Sequence, residues 1–98
     1  MKATLLADRI YVLRATKRLQ QKTLARSLGV TAATYSRIEK GERGIKEESL
    51  PILAELLDAD LEELQTLWAA DKMAKAVGQA PENITERALN ILQAKTGF

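Results

Sequence analysis

Residues 21–41, QKTLARSLGVTAATYSRIEKG, hold two short helical patterns joined at Leu28, Gly29 and Val30. Leu24, Ala25 and Leu28 fall at i, i+1 and i+4, so the first pattern buries one stripe. Gly29 takes the left-handed conformation at little steric cost and ends that helix. Thr31 stands where a side-chain oxygen caps the second helix. There Tyr35 and Ile38 turn inward while Ala32, Ala33, Ser36 and Arg37 face out, and Gly41 ends it. Two short helices about a tight glycine turn, the second outwardly polar and carrying a cation, make a helix-turn-helix pattern.

Charge is distributed unevenly around this pattern. Residues 1–46 carry eleven Lys and Arg against three acids, a net +8. Residues 47–98 carry four bases against ten acids, a net −6, and the whole chain is +2. A basic half coincident with a helix-turn-helix is the electrostatic footprint of a phosphate-binding face.

Leu13-Arg14, Gln21-x-x-Leu24-Ala25, Gly29-Val30-Thr31, Ser36-Arg37-Ile38-Glu39 and Lys40-Gly41 stand in the order and register of one family. Over residues 5–67 the chain resembles the lambda-repressor-like (XRE-type) DNA-binding domains. The resemblance implies an all-α bundle of about five helices, the second and third docking on double-stranded DNA, and a homodimer. It also implies an ion pair between Arg14 and Glu39 that ties the first helix to the end of the third. Gln21, in the first turn of the second helix, is implied as a phosphate contact, and a helix N-terminus supports that role.

The third helix is expected to enter the major groove by its N-terminal end. Matching positions make Ala32, Ala33 and Arg37 the candidates for base edges, with Thr31, Thr34 and Ser36 touching phosphates or bases. Longer polar side chains are frequent in the family where this chain has Ala32 and Ala33. An alanine there either packs on a thymine methyl or serves helix propensity alone. Arg37 is left as the strong reader, with guanine O6 and N7 its expected target, at ~1–3 kcal/mol of discrimination. Lys22 and Arg26 are either nonspecific phosphate contacts or ordinary surface. Lys40, Arg43 and Lys46 lie in a turn segment with two glycines that suits a clamp on the sugar–phosphate backbone.

Around this centre the chain reads as helices throughout. Thr4 is expected to cap a first helix running to about Arg18, with Leu6, Ile10 and Leu13 inward. Glu47 and Glu48 open a fourth helix, with Pro51 tolerated near its start and Leu50, Leu53, Ala54 and Leu57 buried. Asp60 and Glu63 read as a capping box for a fifth helix that continues to Gly78, beyond the family's core. After a linker at residues 79–81, Asn83 and Glu86 read as a second capping box, opening a last helix from about Ile84 to Lys95. The division expected is residues 1–67 as the DNA-binding domain and 68–98 as a helical extension for dimerisation. Leu64, Leu67, Trp68, Met73, Val77, Ile84, Ala88, Ile91 and Leu92 are the interface candidates. Trp68 is either an anchor there or a lid on the domain's own core. The last helix is too short to be stable alone, so it packs either on a partner subunit or back on the fifth helix.

Other functions lack support in the residues. The chain has no His and no Cys, which removes imidazole and thiolate metal sites and His-based acid–base chemistry. No acid pair sits in an apolar setting suited to carboxylate catalysis. No enzyme, metal, cofactor or small-molecule ligand is expected. No apolar run approaches the ~20 residues that cross a bilayer, and Asp8 and Arg9 interrupt the only apolar stretch near the N-terminus. A cytoplasmic protein without membrane partners is expected, which makes the sequon Asn83-Ile84-Thr85 a chance match. The reading is a homodimeric transcriptional regulator, a repressor where it occludes polymerase, on a palindromic operator. Phage repressors, antitoxin-type regulators and restriction–modification controller proteins share this build, and the basic head with a long helical tail fits the last. The competing reading is a helical protein-interaction module, antitoxin-like, that kept the fold without DNA specificity.

Overall fold

The computed structural model describes residues 4–78 and 81–96. All regular elements among them are helical: α1 (Leu5–Thr16), α2 (Gln21–Leu28), α3 (Ala32–Glu39), a 3-10 turn (Glu47–Ser49), α4 (Leu50–Leu57), α5 (Leu61–Gly78) and α6 (Glu82–Thr96). Of the linker expected at residues 79–81, residues 79 and 80 lie outside the described residues.

One core holds the first five helices together. Leu6 and Ile10 of α1, Leu24 and Ala25 of α2, Tyr35 of α3, Leu50, Leu53 and Leu57 of α4 and Leu64 of α5 are buried in a single cluster. Each fully buried side chain of this size contributes roughly 1.5–3 kcal/mol relative to exposure. α2 packs mainly on α3, and α5 on α1 and α4. Leu64, expected at a dimer interface, is wholly buried in this core and has no surface to offer a partner. Its i+3 position from Leu61 sets it on the stripe that faces α1 and α4, not on the outer side.

Four helices end in the same way. After α1, Arg18 is left-handed (φ 57°), its amide bonds Ala15 and the Leu19 amide bonds Arg14. Gly29 after α2, Gly41 after α3 and Asp58 after α4 repeat the pattern, with φ of 71°, 76° and 52°. These are Schellman motifs, in which a left-handed residue returns two amides to the last carbonyls of the helix. The chain turns tightly at each, and short helices are folded onto one another within few residues. α1 therefore stops at Thr16, two residues earlier than the sequence implied.

Three cap expectations are corrected. Glu47 and Glu48 form a 3-10 turn, not the first turn of α4. Pro51 has no amide to give the Glu47 carbonyl four residues back, so that carbonyl takes the Leu50 amide instead. Asp60 does cap α5, accepting from the Glu62 amide at 3.3 Å. Glu63 does not close the box, because Arg9 on α1 holds its carboxylate at 2.6 Å. α6 begins at Glu82, ahead of Asn83, with the Pro81 carbonyl accepting from the Thr85 amide at 2.9 Å. Asn83 is thus inside the helix and is not its cap.

At α1 the expected Thr4 cap is present and is joined by one that reaches across from α5. Thr4 accepts from the Ala7 amide at 3.1 Å, and the two oxygens of Asp71 on α5 accept from the Leu5 and Leu6 amides, both at 3.0 Å. Three of the four unpaired amides at that helix start are thereby satisfied.

Candidate nucleic-acid interface

The surface of interest begins on the buried side of α3. Glu39 is only 8% exposed, yet it carries a charge that must be compensated. Arg14 donates to it through Nε at 2.5 Å and Nη2 at 3.0 Å, a two-pronged pair, and gives Nη1 to the Leu19 carbonyl at 2.8 Å. Gln21 Nε2 donates to the same carboxylate at 3.1 Å and the Tyr35 hydroxyl at 2.6 Å. Burial alone would raise the Glu39 pKa, but donors from Arg14, Tyr35 and Gln21 outweigh it and hold the carboxyl below its usual value. The hydrogen bond it donates to Glu39 raises the Arg14 pKa, so the guanidinium stays charged. Burial, then the bond to Glu39, raises that of the Tyr35 phenol, which stays neutral. The network ties α1, the α1–α2 turn, α2 and α3 together at one carboxylate.

With its inner face so fixed, α3 presents a defined outer face. Thr31 caps it, accepting from the Thr34 amide at 3.1 Å, and its hydroxyl donates to Thr34 Oγ1 at 2.9 Å. Thr31, Ala32, Ala33, Arg37 and Lys40 are exposed, and Thr34 and Ser36 are half-buried. Tyr35 is wholly buried and belongs to the core. Lys22 and Arg26 are exposed on α2, and Gln21 is half-buried at its start. No side chain caps α2, and in its first turn the Thr23 amide donates to the Gln20 carbonyl at 3.0 Å. Arg43 and Lys46 are exposed in the loop that follows α3.

That loop is held from an unexpected direction. Trp68, half-buried on α5, donates its indole Nε1 to the Ile45 carbonyl at 2.8 Å. Trp68 and Leu67 both pack against the domain's own core. Met73, Val77, Ile84, Ala88, Ile91 and Leu92 are exposed on α5 and α6 within a single chain.

Among the described residues no group of acids is disposed to hold a metal ion, and no helix is long and apolar enough to cross a membrane. The residues that sequence reasoning missed are structural: Asp71, Trp68 as a loop anchor, and Gln21 as a donor to Glu39.

A family model for helix-turn-helix domains matches residues 10–64, more than half the chain, from the middle of α1 into α5. Neither the curated proteins nor the solved structures give a significant match.

Proposed function

The chain belongs to the helix-turn-helix family of lambda-repressor-like DNA-binding transcription regulators, and from that premise we propose that it is a homodimeric repressor of a palindromic operator. The family is regulatory and not catalytic. The observation that carries the reading is the two-sidedness of α3. Its inner face is locked by Glu39 and Tyr35, while Arg37 stands exposed on its outer face with no ion pair among the described residues.

Residues 1–67 form the reading head and 68–98 the dimerisation arm. Arg37 reads a guanine edge by a pair of hydrogen bonds. Thr31, Thr34 and Ser36 border the same face, and Ala32 and Ala33 let α3 approach the base edges closely, packing on a thymine methyl. Gln21 keeps its second amide hydrogen for a phosphate beside the uncapped start of α2. Lys22, Lys40, Arg43 and Lys46 supply sequence-independent phosphate contacts. Two copies joined through Met73, Val77, Ile84, Ala88, Ile91 and Leu92 set two α3 helices about one helical turn of DNA apart. The protein works in the cytoplasm, where its promoter lies.

Selection of bound duplexes from a random pool at about physiological salt tests this. A two-fold symmetric motif with guanine in each half-site is expected. Binding to bulk DNA without enrichment would remove the operator-reading role. No binding at all would favour the interaction module, to which the hydrogen-bond-free pair Ala32 and Ala33 is better suited.

A further inference from the structure

Residues 47–71 carry eight acids and no base, and the next two bases along the chain are Lys72 and Lys75. Both line a groove of about 550 Å³ whose opposite wall is the loop following α3, including Arg43. Ile38, Ile45 and Trp68 give the groove an apolar wall. Lys72 Nζ lies 5.2 Å from the centre of the Trp68 ring, whose indole nitrogen is bonded to the loop at Ile45. The ammonium therefore stands beside the ring that is bonded to the loop. Neither Arg43, Lys72 nor Lys75 has an ion pair among the described residues. Two acids also border the groove, Asp71 and Glu42. Asp71 has both oxygens occupied by the Leu5 and Leu6 amides, and Glu42 is exposed to solvent.

We propose that Lys72 and Lys75, together with Arg43, form a second row of DNA phosphate contacts on α5, outside the helix-turn-helix. The proposal rests on the DNA-binding reading and extends its footprint onto the fifth helix. Three arguments support it. Lys72 and Lys75 are spaced i, i+3 and so lie on one side of the helix, the side that carries Trp68 toward the loop. The groove is continuous with the loop that the reading above puts against the backbone. Its pairing of cations with an apolar wall matches a strand in which anionic phosphates alternate with apolar sugars. An acidic stretch that turns basic only where it meets this loop follows from the same demand.

The test is a salt series of anisotropy titrations on a mixed-sequence duplex of about 30 base pairs. Each lost phosphate contact lowers the slope of log K against log salt by about 0.9. Lys72→Gln with Lys75→Gln is expected to lower it by about 1.8 for each bound subunit. Between 50 and 200 mM salt the double variant then loses about tenfold less affinity per bound subunit than the native chain. Lys75→Gln alone, which disturbs no ring contact, is expected to show about half that change in slope. Arg87→Gln, a base on α6 that does not line the groove, is expected to leave the slope at the native value. A native slope in both Lys75→Gln and the double variant overturns the proposal, as does an equal loss in Arg87→Gln, which would mark a general charge effect. Failure of the native chain to bind the duplex at all would overturn the DNA-binding reading itself, and so is told apart from failure of this row alone.

Discussion

Tyr35 and Glu39 meet one turn apart on the inner face of α3, the tyrosine hydroxyl donating to the carboxylate at 2.6 Å. They are 0% and 8% exposed, so the phenol depends on Glu39 for its partner, and Glu39 on Tyr35, Arg14 and Gln21. Tyr35→Phe removes one donor from a buried charge and is expected to cost about 1.5–3 kcal/mol. Glu39→Ala leaves the Arg14 guanidinium unpaired and should cost about 3 kcal/mol or more. The carboxyl titrates below its usual 4.5 in the folded chain, because the three donors outweigh burial. Between the folded and unfolded values the unfolded chain binds more protons, so stability rises with pH across that window. The contribution is complete above about pH 4.5 and is lost as pH falls through the folded value. Urea midpoints from pH 7 to pH 3 check this. The native chain should lose stability below pH 4.5 more steeply than Glu39→Gln, and parallel curves would sink the assignment.

Asp71 supplies a second test, far from the reading head in sequence but not in space. Its carboxylate takes two amides at the start of α1 from a position 65 and 66 residues away. An acid at a helix N-terminus satisfies donors and also opposes the positive end of the helix dipole. Asp71→Ala is expected to cost about 1–2 kcal/mol, and Asp71→Asn less, since the amide oxygen still accepts. Amide exchange at Leu5 and Leu6 should speed up in the alanine variant before any change at Tyr35. Uniform acceleration across α1, α2 and α3 would show instead that Asp71 supports the whole domain.

Arg18 and Gly29 occupy the same left-handed backbone conformation with opposite side-chain fitness, at φ 57° and 71°. Gly29→Ala meets no neighbouring atom within 4 Å, so its penalty is purely conformational, at about 1–2 kcal/mol. Arg18→Gly should instead stabilise the fold by up to about 1 kcal/mol, because the strain of a side chain at positive φ disappears. Thermal melting of the two variants checks the pair. If both shift the same way, left-handed strain is not what distinguishes these turns.

These turns also show how far the chain could be read from its residues. Gly29 and Gly41 announced helix ends because glycine is the residue such ends favour. Asp58 makes the same turn with a residue whose short polar side chain tolerates the left-handed conformation, and Arg18 makes it with no such local signal. The apolar stripes of α1 to α5 follow the helical period and were legible, as was the polar outer face of α3. Pairings between distant elements were not. The spacing of Glu63 from Asp60 reads as a capping box, whereas the partner of Glu63 is Arg9 across the bundle. Trp68 offered an apolar ring at an ambiguous position, and its bond to Ile45 depends on how α5 crosses the loop. The position of Gln21 at a helix start points to its outward role alone, since the carboxylate it serves lies on another helix.

Arg37 carries the operator-reading proposal, and its exposure makes the test clean. A side chain with no ion pair among the described residues gives little to the fold, so Arg37→Ala should leave the melting temperature within about 2–3 °C of native. Affinity for a selected operator should fall by roughly tenfold or more per half-site, from the ~1–3 kcal/mol a bidentate guanine contact gives. Preference for guanine at one position in each half-site should relax together with it. A uniform loss across all sequences, with preference intact, would make Arg37 a phosphate contact instead.

The apolar tail is the most direct handle on assembly. Ile91 on α6 is 69% exposed and Val77 on α5 is 43% exposed within one chain, so neither supports the core that holds the head together. A glutamate at an exposed position changes the stability of a single chain by no more than about 0.5 kcal/mol. In a dimer joined through this region the same glutamate would be buried without a partner, at a cost of several kcal/mol. Val77→Glu with Ile91→Glu is therefore expected to halve the mass measured by sedimentation while leaving the helical signal of the first five helices unchanged. Operator affinity should fall steeply, because two half-sites are then bound by separate molecules and the benefit of linked binding is lost. A double variant that keeps the native mass would show that the copies associate through another face.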